Sequence, residues 1–330
     1  MDGLLPFEQK KRSVLVRKIA ETSEKFGKSP EKRTVEEHIN LGIINIDKPA
    51  GPTSHQVSAY LQSILEVAKS GHAGTLDPNV TGVLPIAINK ATKIVQTLLT
   101  AGKEYVCVMH IHKKIEDYTL YKAFEKFTGT IKQLPPVKSS VKRQLRERTI
   151  YYVDVLEISG QDVLFKVGCQ AGTYIRKLVH DIGQELKCGA HMAELRRTKA
   201  ASFNESTLYS LQDVHDAYYY FKKEGKEKFI RTMVQPVENA VAHLGKIWVM
   251  DTSVDTLCHG ASLAVPGISK LETGISKGDL VAVFSLKGEL ICYSESVMGS
   301  KDMMGEKGLA AKTQKVIMEP GTYPRYNFSE

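Results

Sequence analysis

The sequence predicts an α+β chain in two parts, a larger domain on a mixed, largely antiparallel sheet and a smaller C-terminal β-barrel. Three observations carry this. Two apolar runs, Val153 to Ile158 and Val163 to Gly168, flank the turn residues Ser159-Gly160-Gln161-Asp162 and so read as neighbouring antiparallel strands. Segments of helical spacing, such as Lys90 to Leu99 and Leu120 to Phe127, stand between strand-like runs. After Lys246 the texture changes, and short β-like runs (Trp248 to Met250, Leu280 to Phe284, Leu290 to Tyr293) alternate with glycine turns.

The elements follow in order. Residues 1–40 are rich in Lys, Arg and Glu with little apolar periodicity, so an extension is expected that becomes ordered only against another surface. The apolar run from Gly42 to Asp47 predicts a strand. Pro49, Gly51 and Pro52 predict a turn, and Thr53 or Ser54 can cap a helix reaching about Val67. Val83 to Ile88 has the length and β-branched content of a buried strand, and Tyr105 to Ile111 alternates like a half-buried one. A helix is expected from about Thr173 to Leu186. Between Phe221 and Gly245 a lysine-rich helix end and Pro236 separate the domains, which gives 41–243 for the larger, 244–322 for the smaller and 323–330 for a tail.

Length and composition narrow the function classes. At 330 residues the chain exceeds what a single core usually organises, and 42% hydrophobic with 25% charged residues fits a globular protein. No apolar run approaches a membrane span and residues 1–30 are charged rather than signal-like, so a cytoplasmic protein is expected. Five scattered cysteines without a CxxC pair argue against a zinc knuckle and a disulfide framework. The net charge of +8 suggests a polyanionic partner. Basic residues crowd at Lys138, Lys142, Arg143, Arg146 and Arg148, and again at Arg196, Arg197 and Lys199. By composition alone these are equally a solvated basic face.

One loop stands out. In GHAGTLDPNVTGVLPI, Gly71 to Ile86, small and turn-forming residues surround a single carboxylate, that of Asp77, just ahead of the predicted buried strand. Such a loop can present a carboxylate into a cleft from a rigid support. Spacing alone equally allows Asp77 to cap its own turn. His110 and His112 lie on one face of a predicted strand, as two metal ligands would, but no third ligand is evident and no metal is expected. No GxGxxG and no GxxxxGK[ST] occurs, and no cofactor is expected.

The Asp77 loop resembles the catalytic-aspartate motif of the TruB and dyskerin family of pseudouridine synthases, and further segments match that family in the same order. They are GIINIDKPAGPTSHQV (Gly42 to Val57), KEYVCVMHI (Lys103 to Ile111), GTYIRKLVHDIG (Gly172 to Gly183) and AELRRTKAASF (Ala193 to Phe203). SKGDLVAVFSLKGELICYSES and KGLAAKTQKVIMEPGTYPRY resemble the PUA domain, an RNA-binding module. The resemblance implies isomerisation of uridine to pseudouridine in RNA, with Asp77 as nucleophile. It implies that Tyr105 stacks on a flipped base and aids proton transfer, and that Arg176 pairs with the aspartate. Tyr174 and Leu195 match pocket walls, and His72 a residue that fills the space left by the flipped nucleotide. Lys48 and Pro49 match a signature expected to support the pocket. Lys142, Arg143, Arg146, Arg196 and Arg197 are the expected contacts to the RNA backbone.

The PUA-like segment, the basic extension and the wording of the motifs are closest to archaeal members that act as the catalytic subunit of H/ACA guide ribonucleoproteins. That implies guide RNA, rRNA and tRNA as RNA partners. It also implies three proteins: two small core proteins and a kink-turn-binding ribosomal-type protein. Guide-independent action on the tRNA T-loop is a further implication. An RNA-binding assembly scaffold with little catalysis is the alternative, against which the trio of Asp77, Tyr105 and Arg176 speaks.

Overall fold

A computed structural model of the chain describes residues 3–135 and 142–326. Lys138 of the first basic cluster and the end of the C-terminal tail lie outside the described residues.

The N-terminal segment holds a helical turn, α1 (Pro6–Gln9), a short strand, β1 (Val14–Val16), and α2 (Val35–Asn40). The larger domain runs β2 (Gly42–Lys48), α3 (Ser54–Ile64), β3 (Ser70–His72), β4 (Thr81–Ile88), α4 (Val95–Thr100), β5 (Lys103–Ile111) and α5 (Asp117–Lys126). It continues through β6 (Gly129–Gln133), β7 (Arg146–Ser159), β8 (Asp162–Cys169), α6 (Ile175–Glu185), β9 (Ala190–Ala200) and β10 (Phe203–Asn204). α7 (Leu211–Glu224), α8 (Glu227–Met233) and β11 (Gln235–Pro236) close it. The C-terminal part is β12 (Gly245–Val249), α9 (Asp251–Cys258), β13 (Leu263–Ala264), β14 (Ile268–Glu272), β15 (Leu280–Phe284), β16 (Leu290–Ser296) and β17 (Leu309–Val316).

The strands form two mixed sheets. In the larger, the order is β11-β2-β4-β9-β5-β8-β7-β6, with β3 on β4 and β10 on β9. Every pair is antiparallel except β4 with β9. In the smaller, the order is β1-β14-β12-β15-β16-β17-β13, and only β12 with β15 is parallel. This is the α+β class read from the sequence, with helices packed on a mixed sheet.

Local chemistry explains the elements that carry the site. Thr53 caps α3, its hydroxyl accepting from the Gln56 amide while Gln56 reaches back, a reciprocal capping box. α6 follows the helical period, burying Ile175, Leu178, Val179 and Ile182 on one stripe against β5, β8 and β9. The run Lys90 to Leu99 divides into a 3-10 segment, Asn89–Ile94, and α4. The difference arises at Asn89, whose φ of 44° and side-chain bond to the Lys69 amide start a tighter turn. β9 is one of several strands that sequence leaves unassigned; its charged residues break any apolar alternation.

The N-terminal extension is tied to both sheets. β1 adds to the edge of the smaller sheet, with Val14, Leu15 and Val16 opposite Glu272, Leu271 and Lys270. Arg33 forms a buried two-pronged ion pair with Glu238, at 2.7 and 2.9 Å, and the same carboxylate accepts the Leu290 amide at 2.9 Å. One core cluster joins Ile43, Val83 and Ala87 of the larger sheet to Ala282, Phe284 and Tyr293 of the smaller. Buried apolar contact thus fixes the two sheets relative to each other.

Candidate active site

Asp77 sits at the crest of the loop joining β3 to β4. Its flanks are buried, Leu76 at 4% and Val80 at 3% exposure, while its own side chain is about half exposed, at 52%. The loop is held from below by the Gly42 to Val57 motif. The Lys48 ammonium, wholly buried, donates to the carbonyls of Pro49 (2.9 Å), Pro78 (2.9 Å) and Val80 (2.8 Å). Ser54, at the first turn of α3, accepts the Leu76 amide at 2.8 Å and donates to the Leu76 carbonyl at 3.1 Å. The Gly51 amide donates to Pro78 and the Val80 amide closes the turn on the Asp77 carbonyl. These bonds fix the backbone on both sides of Asp77 and leave the carboxylate free to face the cleft.

Facing it, Arg176 donates directly to the Asp77 carboxylate. Arg176 lies in the first turn of α6, which fixes where its side chain starts. Both partners are more than half exposed, 61% and 52%, so the pair adds little to folding stability. Its effect is to orient. Tyr174 precedes α6 as its N-cap, and its main chain is pinned by the buried Gln133 of β6. The Gln133 side chain accepts the Tyr174 amide at 3.0 Å and donates to the Tyr174 carbonyl at 3.2 Å. Gln133 carries no motif signal; only the pairing of β6 with β7 brings it here.

Tyr105 lies on β5, opposite Arg197 of β9. Burial pushes its phenol above the ordinary tyrosine value, the Arg197 guanidinium pulls it back, and the Asp77 charge adds to the rise. The phenol therefore stays protonated at neutral pH. Leu195, also on β9, is partly buried and packs on the cluster beneath Tyr105. His72 ends β3, its ring edge-on to His55 at 6.2 Å, and burial holds its imidazole below the ordinary histidine value, hence neutral.

The adjacent arginines have opposite surroundings, which corrects the expectation that both contact RNA phosphates. Neighbouring residues of a strand face opposite sides of the sheet. Arg197 is 1% exposed; its guanidinium donates to Val83 O at 2.7 Å and Gly74 O at 3.2 Å. It is a buried clamp on both ends of the Asp77 loop and cannot reach a phosphate. Arg196 turns outward but is committed to two carboxylates. It grips Asp47 at 3.0 and 3.1 Å and Glu205 at 2.6 Å. Lys142 and Arg143 are exposed just before β7, and Arg146, partly exposed at its start, donates to the Lys142 carbonyl.

Two glycines permit the close approach of Arg197. Gly74 has φ +116°, and Gly82 has φ +100° with a would-be Cβ only 2.2 Å from the Arg197 carbonyl. Lys103, which sequence did not single out, is buried behind Arg197. Its ammonium donates to Leu98 O (2.8 Å), Leu99 O (2.9 Å) and Ala101 O (2.6 Å), closing the end of α4. Burial pulls that ammonium down to about 7.

The arrangement gives one oriented carboxylate in an open cleft, a neutral phenol beside it, and a cation bonded to the carboxylate. It suits nucleophilic attack and proton transfer on a substrate inserted from solvent. No group of three or more metal-ligating side chains is gathered for an ion among the described residues. No described helix is long and apolar enough to cross a membrane.

Comparison with known proteins agrees with this geometry. Residues 62–175 match the N-terminal domain of the TruB family of pseudouridylate synthases, and 176–242 match the tRNA pseudouridylate synthase B C-terminal domain. Residues 4–58 match the DKCLD domain and 245–317 the PUA domain. A probable tRNA pseudouridine synthase B of Methanopyrus kandleri is 53% identical over 98% of this chain and 96% of its own length. The corresponding protein of Pyrococcus furiosus is 50% identical over 98% and 95%. A chain from a crystallised Cbf5-Nop10-Gar1 complex superposes with a TM-score of 0.94 at 50% identity, covering 98% of this chain and 99% of that one. Another, from an H/ACA RNP bound to a substrate RNA containing 2'-deoxyuridine, gives 0.91 at 49% identity, with 98% and 99% covered. With relatives this similar along almost the whole length, the chain belongs to the TruB and dyskerin family of RNA pseudouridine synthases, in the branch that carries DKCLD and PUA domains.

Proposed function

We propose that this pseudouridine synthase is the catalytic subunit of an H/ACA-type guide ribonucleoprotein, acting in the cytoplasm, with Asp77 as its nucleophile. The observation that carries the reading is the carboxylate of Asp77 held by Arg176 beside the Tyr105 phenol. The isomerisation breaks the bond from ribose C1' to N1 of uracil, turns the base, and joins C1' to C5; the C5 proton is released to water and N1 takes up a proton in exchange. Asp77 adds to the sugar or to the base, splitting one hard step into easier ones. Tyr105 stacks on the flipped base and its protonated oxygen relays a proton, while Arg176 holds the Asp77 carboxylate in its direction. Lys48, Ser54 and Arg197 position the loop, and Tyr174 and Leu195 line the pocket.

The partners follow from the relatives, whose structures are a Cbf5-Nop10-Gar1 complex and an H/ACA RNP bound to a substrate RNA. For this chain they are two small core proteins of those kinds, a kink-turn-binding ribosomal-type protein, a guide RNA and the rRNA it selects. The Lys142, Arg143 and Arg146 cluster and the PUA domain supply phosphate contacts. The tRNA T-loop is a second substrate that needs no guide. The test is tritium release from C5-labelled uridine, assayed with tRNA alone and with a guide and substrate pair plus the core proteins. Release that depends on the guide for rRNA but not for tRNA is expected. Release from neither, with RNA binding intact, would make the chain a scaffold and overturn the reading.

A further inference from the structure

At the far end of β5 from Tyr105 the sheet carries a cluster that the isomerisation does not use. His110 is five residues along the strand, roughly 17 Å from Tyr105 at about 3.4 Å per residue. Strand register places it directly opposite His191 of β9 on one side and Asp162 of β8 on the other. His112, two residues on, shares its face. The ring centroids of His110 and His112 both lie 5.2 Å from that of His191, and 6.3 Å from each other. The pair His110 and His112 lacked a third ligand in the sequence, and His191, brought in across the sheet, is that third imidazole.

We propose that His110, His112 and His191 form a binding site for a divalent transition-metal ion of the zinc class, with Asp162 as the carboxylate that orients His110. His112 Nε2 and His191 Nδ1 are 3.0 Å apart and share a hydrogen bond. Two imidazole nitrogens about 2.0–2.1 Å from one tetrahedral ion stand about 3.4 Å apart, so the pair needs to part by only a few tenths of an ångström. The proton between them moves to the far ring nitrogen of the imidazole that holds it, so no net proton is lost. His110 Nδ1 meets Asp162 Oδ1 at 2.7 Å, which leaves Nε2 for the ion in the usual carboxylate–histidine–metal arrangement. The imidazoles are now turned toward one another and toward Asp162 rather than around a common point. His112 and His191 are exposed and His110 partly so, and can swing without disturbing a core.

The donor set selects the ion. Imidazole nitrogen suits zinc, copper, nickel and cobalt, whereas magnesium and calcium require oxygen ligands. Water completes the coordination. The bound ion staples the ends of three neighbouring strands, next to the β7–β8 turn and to Gly189, whose carbonyl already accepts the His112 amide. Its role is structural.

The test uses the full chain, stripped with a chelator and then titrated with Zn(II) by calorimetry and with Co(II) by visible absorption. One saturable site per chain and a raised Tm are expected. His112→Asn and His191→Asn each lower the affinity at least tenfold. Asp162→Asn lowers it by about 10- to 100-fold through the orientation of His110. His215→Asn, an exposed histidine on α7, leaves it unchanged. No saturable binding of either ion, or equal binding by the parent and the His112 and His191 variants, would overturn the proposal.

Discussion

Replacing Lys48 by methionine tests whether the loop under Asp77 is positioned or merely folded. Met keeps the unbranched shape of the side chain, one atom shorter, and removes three charge-assisted bonds, to Pro49, Pro78 and Val80. Each carbonyl left unpaired costs about 1–3 kcal/mol, but those of Pro49 and Pro78 are only partly buried and regain water. Against the loss stands relief from burying an ammonium, which costs several kcal/mol and which draws the Lys48 amine below its ordinary value. The two terms oppose each other, so the net effect on folding stays within about 2 kcal/mol, read as a small shift of the urea midpoint with an unchanged slope. Catalysis is affected more strongly, because a loop shift of about 1 Å costs about 100-fold in rate. Tritium release should show kcat down about 100-fold with KM for RNA within about threefold, since a wholly buried residue touches no phosphate. A kcat within threefold of the parent, or a change in KM alone, would refute the positioning argument.

Arg176→Lys keeps the charge and loses the planar fork, so kcat should fall by about 10- to 100-fold. Unfolding stability should move by less than about 1 kcal/mol, because the pair is exposed. His243, buried beside Phe7, has its imidazole pushed down to about 4 by burial. The unfolded chain takes up that proton near 6.5 and the folded chain only near 4, so stability is full above 6.5 and falls by about 3 kcal/mol on acidification to 4. His243→Gln should remove that segment of the pH–stability curve, as followed by urea unfolding. RNA affinity should fall steeply with salt, and neutralising Lys142, Arg143 and Arg146 together should flatten the log–log slope by about 2–3. An unchanged slope would take this cluster off the RNA path.

Sequence shows most where the chemistry is local. The alternation of Tyr105 to Ile111 and the apolar stripe of α6 are set by near neighbours, and both elements stand as read, to within a residue or two at each end. The Asp77 loop was visible as a turn, and its reactive role only through the family motifs. What sequence hides is set by distant pairing. Arg196 and Arg197 form one basic patch on paper, yet a single step along β9 sends one into an ion-pair bridge and the other into the core. Gln133 carries no motif signal and Lys103 only opens the KEYVCVMHI segment, and the work of both depends on elements that meet only in the folded chain. The N-terminal extension looked unpartnered because its partner, β14, lies near the opposite end of the sequence.

Asp77→Asn is the most direct test. It keeps the shape of the side chain and the loop bonds, which run through backbone carbonyls and amides, and removes only the ionised carboxylate. The account predicts RNA binding within about threefold of the parent and tritium release from C5-labelled uridine below about one thousandth of the parent rate, a barrier rise of about 4 kcal/mol or more. Tritium release by Asp77→Asn as fast as by the parent would contradict it.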